Sequence, residues 1–209
     1  MIRSGLIAAL LACVSACAFT NVGVWSQATL ARGQAAADFS SYRVQRVAVV
    51  PFTGADLDQE RSRDLQNGLA LEMAARVKFE LVQLSALDLA EIQRADPHRR
   101  GSYAARTLLE IAERYRVDAV LVGTVREFNV YSPQRIATQV ELVSCETGQV
   151  AWSSSVEIDA NDARVVKSIE AWYALERESY DAPGDEALAF LSPGVFARFA
   201  TRELARSFP

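Results

Sequence analysis

The distribution of apolar residues predicts alternating strands and helices in the first half of the chain. Residues 44–52 (VQRVAVVPF) form a short, largely β-branched run that ends at a proline, which is typical of a strand buried on both faces. The next segment has an apolar residue at every fourth position, as one face of a helix requires: Leu65, Leu69, Met73 and Val77. A second strand and two further helices are predicted over residues 79–84, 85–94 and 104–116.

In the second half of the chain, the pattern of helices between strands gives way to strands in which apolar and polar residues alternate. Residues 118–125 form the most strand-like stretch, and Gly123 within it indicates a bulge or a close backbone approach. Residues 135–142 and 150–158 then alternate between apolar and polar, which predicts antiparallel strands with one face toward solvent. Two helices close the chain, one over 163–180 and one that begins with Ser192 as its N-cap and Pro193 in its first turn.

These elements define the expected fold class. Their order is β-α-β-α-α-β-β-β-α-α, in which helix-linked strands come first and a three-stranded meander follows. Helix crossovers favour parallel pairing and tight turns favour antiparallel pairing. The sequence therefore predicts an α/β (α+β mixed sheet) fold: one mixed parallel and antiparallel sheet with helices packed on it, in a single domain over residues 43–209.

The first twenty residues (MIRSGLIAALLACVSACAFT) have the features of an export signal. A positive charge at Arg3 precedes a short apolar core over residues 6–14, which is too short to span a bilayer. The residues that follow resemble the lipobox of bacterial lipoproteins, which implies a signal peptide over residues 1–16 and a lipid such as palmitate on Cys17. Cys13 also fits a lipobox but leaves a shorter apolar core, so it is the second candidate. Ordinary secretory cleavage near residues 16–18 is the remaining alternative.

Residues 17–42 are predicted to form a lipidated, flexible tether. The segment after Cys17 is small, polar and rich in Ala and Gly, with no sustained period. A flexible chain of this length has a root-mean-square reach of roughly 25–30 Å. We therefore expect the folded domain to be held close to a membrane by its amino terminus.

Charge and cysteine content exclude some functions. The chain carries a net charge of −4, and removal of the signal with Arg3 makes it −5, so sequence-independent nucleic-acid binding is disfavoured. Once Cys13 is removed and Cys17 is lipidated, Cys145 has no partner within the chain. The domain is then expected to fold without disulfides, with Cys145 packed as a small apolar side chain.

No catalytic set can be assembled from the sequence. The chain has one histidine, His98, so a metal cluster or a histidine-based triad lacks parts. Acidic residues at positions 56, 58 and 60 are spaced like the start of a calcium loop, but the later positions of that loop do not match. These acids are interpreted as a helix amino terminus. We therefore predict a protein that is not an enzyme, with no cofactor and no metal.

Two segments are candidate partner contacts. His98, Arg99 and Arg100 form the densest basic spot, which fits anionic lipid or an acidic partner, or else a solvated loop. The carboxy-terminal part is rich in aromatic residues, including Trp172 and Tyr173. These side chains either cover the sheet or form an exposed docking face, and the sequence leaves both alternatives open.

Three segments carry a resemblance to a known group: residues 47–52 (VAVVPF), 117–125 (VDAVLVGTV) and 141–153 (ELVSCETGQVAWS). Together they resemble the α/β domain shared by the amino-terminal domain of TolB, the curli-secretion lipoprotein CsgG and the penicillin-binding-protein activator LpoB. Two positions depart from the usual pattern, with Val117 in place of a glycine and Ser144 in place of an aspartate. The resemblance implies periplasm-facing proteins that act by binding partners and have no known catalytic residues.

Within this group the chain is most similar to the LpoB-type activators. Residues 161–208 give a helical pattern instead of the additional strands that a pore needs, and no propeller repeat follows the domain. The expected function is therefore a non-catalytic, lipid-anchored cell-envelope protein that binds a protein partner such as a peptidoglycan synthase or a secretion assembly. The alternative is a CsgG-like subunit that assembles into a ring. By resemblance to enterobacterial sorting, Ala18 after Cys17 favours the outer membrane.

Overall fold

A computed structural model describes residues 29–54, 57–93, 104–180 and 192–209, with the backbone alone for residues 93 and 177–180. The strands are β1 (Arg32–Ala35), β2 (Arg46–Val49), β3 (Thr53–Gly54), β4 (Glu80–Gln83), β5 (Ala119–Asn129), β6 (Arg135–Ser144) and β7 (Val150–Asp159). The helices are α1 (Gln59–Ala74), α2 (Ala86–Gln93), α3 (Ala105–Tyr115), α4 (Ala163–Tyr180) and α5 (Pro193–Arg206). A 3-10 turn at Phe39–Ser41 lies between β1 and β2.

The strands form one mixed sheet, as the sequence predicts. Their order is β1-β7-β6-β5-β2-β4, and β3 continues the pairing along β5. Strand β2 runs parallel to both β4 and β5, whereas β5, β6, β7 and β1 pair antiparallel. The predicted change from crossovers to a meander therefore falls at β5, and the α/β fold class is confirmed.

Strand β2 is buried on both faces. Val47 and Val49 point into one hydrophobic cluster, and Ala48 and Val50 point into the other. The first cluster also holds the apolar faces of α1, α4 and α5, and the second holds those of α2 and α3. Helices thus cover both faces of the parallel half of the sheet, which explains the continuous apolar run in its sequence.

The meander has one buried face and one polar face. Ile136, Val140 and Leu142 of β6 lie in the first cluster, whereas the alternate residues Gln139 and Glu141 are half-buried and hydrogen-bond to each other at 2.8 Å. The two-residue period in the sequence is therefore confirmed as an amphipathic sheet.

The last helix closes the core as its sequence predicts. Ser192 caps it by accepting a hydrogen bond from the backbone of Val195, and proline follows at the first helical position. Phe196 and Phe199 are buried in the first cluster. Beyond the helix, the ring of Phe208 packs edge-on against the indole of Trp152, with centroids 5.0 Å apart, and against two further rings. These contacts hold the end of the chain against the sheet.

The expected boundary between tether and domain at residue 43 is wrong. Strand β1 pairs with β7 along Arg32–Ala35, so the chain joins the sheet about ten residues earlier. Only backbone groups are needed for this edge pairing, and the side chains of Arg32 and Gln34 are exposed, so no apolar period marks the strand. Gly33 is required by close packing, because a Cβ there would lie 2.5 Å from the Ser207 carbonyl oxygen.

Gly123 fulfils the predicted close approach. A Cβ added at this position would lie 2.5 Å from the ring of Phe52, which is itself buried. The register shift in β5 falls after it, between Val125 and Glu127, so the glycine and the bulge are separate features.

Substitution of Gly123 by alanine tests this packing. We expect Gly123→Ala to lower the free energy of unfolding by about 1–3 kcal/mol, because the added methyl group forces Phe52 or the strand to move. Gly194→Ala is the matched control: its Cβ would meet nothing nearer than 3.8 Å, at the first turn of α5. Urea denaturation measures both, and equal stability of the two variants would contradict the packing argument.

Candidate functional site

A cavity lies at the carboxyl ends of β2 and β4. It has a volume of about 980 Å³ and is bounded by Pro51 after β2, residues 83–87 after β4 and the first turns of α1. Side chains and helix amino termini converge at this edge of a parallel sheet, which is where α/β folds usually bind their ligands. We name it the β2–β4 cavity and treat it as the candidate site.

The amino terminus of α1 forms one wall of the cavity. The Asp58 carboxylate accepts a hydrogen bond from the backbone N–H of Arg61 at 2.8 Å, and the Arg61 guanidinium lies 3.4 Å from the same carboxylate. One turn later, the Ser62 hydroxyl donates to the carbonyl of Phe52 at 2.7 Å. The acids at positions 58 and 60 are therefore part of a helix start, as interpreted from the sequence, while position 56 lies outside the described residues.

Gln66 fixes the floor of the cavity. Its side chain is buried, and its amide nitrogen donates to the carbonyl of Val49 at 2.7 Å and to that of Leu84 at 2.8 Å. One side chain of α1 thus binds the carbonyl of the last residue of β2 and that of the first residue after β4. Gln66 is not among the site residues predicted from the sequence, although a polar residue next to the apolar positions Leu65 and Leu69 is a signal for it.

The amino terminus of α2 forms the opposite wall and presents an apolar side chain. Ser85 and Asp88 make a reciprocal capping box, in which the Ser85 hydroxyl donates to the Asp88 carboxylate at 2.6 Å and accepts from the Asp88 backbone N–H at 3.1 Å. The hydroxyl bond is the main cause that lowers the pKa of Asp88. Between these two residues Leu87 projects outward, with 78% of its surface exposed.

A second cavity, of about 720 Å³, lies at the opposite edge of the sheet and includes Cys145. The Cys145 side chain is only 8% exposed and packs in the second hydrophobic cluster. Burial, and secondly the nearby Asp118 carboxylate, raise the pKa of its thiol to about 11. Asp118 is itself engaged, because it accepts hydrogen bonds from two backbone N–H groups at 2.9 Å. The interpretation of Cys145 as a packed side chain is confirmed.

The two aromatic candidates on α4 have different surroundings. Trp172 is 4% exposed, lies 5.4 Å from the ring of Phe199, and has the Arg198 guanidinium 5.7 Å from its centroid. Trp172 therefore covers the sheet and is not part of an exposed docking face. Tyr173 is half-buried beside it, with its ring 6.5 Å from the indole.

The other predicted site residues lie outside the described residues. These are the lipidation candidates Cys17 and Cys13 with the signal segment, and the basic group His98, Arg99 and Arg100. Within the described ranges, no group of three or more His, Cys, Asp or Glu side chains is arranged to hold a metal ion. No helix in those ranges is long and apolar enough to cross a membrane.

Comparison with known proteins gives similarities to solved structures. No protein-family model matches the chain, and the curated proteins give no significant match. A PelC dodecamer from Paraburkholderia phytofirmans is 15% identical over 81% of this chain and 96% of that one, with a TM-score of 0.45. Lipoprotein GNA1162 from Neisseria meningitidis is 16% identical over 66% and 99%, with a TM-score of 0.42.

The group that the sequence motifs resemble is also found among these structures. The LpoB C-terminal domain from Escherichia coli is 21% identical over 57% of this chain and 91% of that one, with a TM-score of 0.38. All these likenesses lie below 25% identity and a TM-score of 0.5, and none of them assigns a function to this chain.

The thiol of Cys145 gives a direct test of the packing at the second cavity. A pKa of about 11 in place of 9.0 leaves roughly 100-fold less thiolate at about pH 8, so alkylation by iodoacetamide should be at least 100-fold slower than in the guanidinium-unfolded chain. Mass spectrometry of the Cys145 peptide measures both rates. Because the native pKa is raised, the thiol also stabilises the fold fully below about pH 9 and loses this contribution as the pH rises through about 11. Equal alkylation rates would contradict the burial.

Proposed function

We propose that this chain is a non-catalytic, lipid-anchored protein of the bacterial cell envelope whose α/β domain binds another envelope protein at the β2–β4 cavity. The observation that carries the proposal is Leu87, a large apolar side chain that is 78% exposed at the rim of a 980 Å³ cavity. Polar side chains also line this cavity, including Gln59 and Asn67 of α1. An apolar anchor within a hydrogen-bonding rim is the composition of a protein-binding surface.

The geometry of the cavity supports binding without rearrangement. The capping box at Ser85 and Asp88 fixes the turn that carries Leu87. The two hydrogen bonds from Gln66 fix the ends of β2 and β4 beneath it. A surface that is already ordered loses less conformational entropy when a partner binds, so affinity depends on the contacts themselves.

Lipidation of Cys17 supplies the second half of the proposed mechanism. Eleven residues lie between Cys17 and Thr29, where the described domain begins, and a flexible chain of this length has a reach of roughly 17–20 Å. A tether of this kind raises the effective concentration of the domain near a membrane-bound partner. The sequence resemblance favours a peptidoglycan synthase or a secretion assembly as the partner and the outer membrane as the location. In this proposal the basic group at residues 98–100 is a further contact.

Replacement of Leu87 by glutamate should disrupt partner binding. We expect Leu87→Glu to lower the yield of the cross-linked partner from membranes by at least about tenfold, because a charge replaces the apolar anchor. Leu175→Glu is the matched control, since Leu175 is also exposed, at 62%, but lies on α4 on the other side of the sheet. Cross-linking followed by quantitative mass spectrometry measures both yields. Equal yields from the two variants would exclude the β2–β4 cavity as the docking site.

Labelling with a fatty-acid analogue tests the anchor. Wild-type protein and Cys13→Ser should carry the label, and Cys17→Ser should lose it and leave the membrane fraction. The physical reason is that the thiol at position 17 is the proposed acceptor of the lipid. Label retained in Cys17→Ser and lost in Cys13→Ser would instead identify Cys13, and label absent from all three would reject lipidation.

A further inference from the structure

A buried carboxylate joins the two ends of the described chain. Glu203 on α5 is 1% exposed, and its carboxylate accepts hydrogen bonds from the Leu30 backbone N–H at 2.7 Å and from the Thr29 hydroxyl at 3.0 Å. Two guanidinium groups of the same helix, from Arg202 and Arg206, lie 2.9 and 2.8 Å from its other oxygen. Charge-assisted bonds of this kind are among the stronger polar contacts in proteins.

The segment that Glu203 holds lies at one edge of the sheet. We name residues 29–36 the strap. Its strand pairs with β7 from Arg32 opposite Ser155 to Ala35 opposite Trp152, and one more backbone bond follows from Ala36 to Ala151. Ala31 is its one fully buried residue, Leu30 and Ala35 are half-buried against the first hydrophobic cluster, and residues 32–34 are exposed. An edge strand with one fully buried residue has a lower local stability than strands buried in the core.

The charges around Glu203 allow the strap to leave without stranding a buried ion. Arg202 and Arg206 belong to α5, so both remain beside the carboxylate when Thr29 and Leu30 depart. Water then replaces the two donors that the strap supplied. Release therefore costs the hydrogen bonds of the strap but does not leave an unpaired buried charge, which would be far more costly.

We infer that the strap docks and releases as a unit while the rest of the domain stays folded, and that Glu203 is the positioning residue that holds it. The attachment and release of the strap do not depend on the proposed function. The effect of release on the distance between the domain and a membrane does depend on the proposed lipidation of Cys17. With the strap docked, the tether from Cys17 ends at Thr29 and has a contour length of about 40 Å. With the strap released, the next attachment is the Phe39 ring against Phe208, and the contour length rises to about 75 Å.

Trypsin cleavage after Arg32 reports release of the strap. A protease needs an extended, unpaired substrate, so the bond between Arg32 and Gly33 is accessible only when the strap has left β7. We expect wild-type protein to be cut there while the remaining domain keeps its native circular dichroism. Glu203→Gln should accelerate this cleavage by at least about tenfold, because it weakens the carboxylate's bonds to the strap. Mass spectrometry identifies the product by its new amino terminus at Gly33.

Two further variants keep the test decisive. Thr29→Val removes only the strap's hydroxyl and leaves the ion pairs of α5 intact, so it should accelerate cleavage even where Glu203→Gln fails to fold. Glu110→Gln is the control, because it removes a carboxylate of α3 that pairs with Arg106 at 3.1 Å, on the opposite face of the sheet from Glu203. It should leave the cleavage rate unchanged. Cleavage after Arg32 at the same rate as cleavage after Arg135 of β6, in every variant, would overturn the inference, because release would then require global unfolding.

The reach is tested separately on vesicles. Energy transfer between labelled lipid and a dye on the domain should fall in Thr29→Val relative to wild type and stay unchanged in Glu110→Gln. The trypsin experiment is run in parallel on Cys17→Ser, which lacks the proposed lipid. If Thr29→Val accelerates cleavage with Cys17 present and with Cys17→Ser, but the protein does not attach to vesicles, the lipid anchor is rejected and release of the strap is supported. If the protein attaches to vesicles but Thr29→Val does not accelerate cleavage, release of the strap alone is rejected.

Discussion

The two-sided burial of β2 is the constraint on which the rest of this structure depends. Because Val47 and Val49 face one side and Ala48 and Val50 the other, helices must cover both faces of the sheet at this strand. Parallel pairing with β4 and β5 then places the carboxyl ends of the strands together. The helices that follow β2 and β4 begin at that same edge, and the β2–β4 cavity is the space between their first turns.

Features that depend on side-chain burial could be predicted from the sequence. The apolar run of β2, the four-residue period of α1 and the alternation of β6 and β7 all predicted elements that the structure contains. Local capping was equally accessible, because Ser85 with Asp88 and Ser192 with Pro193 act within one helical turn. In each case the residues that determine the element lie close together in the sequence, so their spacing is sufficient to predict it.

Features that depend on distant partners could not be predicted. Strand β1 is held by backbone pairing with β7, which leaves no side-chain period, and this is why the domain boundary was placed too late. Gln66 and Glu203 are polar residues on otherwise apolar helix faces, and the sequence does not state which carbonyls or donors they meet. The hydrogen-bond donors Thr29 and Leu30 lie about 170 residues from Glu203 in the chain. The outward position of Leu87 likewise follows from how α2 packs on the sheet.

The positions of the strap and the cavity connect the anchor to the proposed binding surface. Asp58 and Gln59 at the start of α1 line the cavity, whereas Glu72, near its end, acts electrostatically on Arg202 beside the Glu203 clamp. The intervening helix rises about 20 Å. In the proposed function, the tether would therefore attach near one end of α1, whereas the cavity opens at the other end. A domain held at Thr29 by such an anchor would present its proposed binding surface away from the membrane. Release of the strap, as inferred above, would change how far the domain reaches, and α1 would set the direction in which the cavity faces.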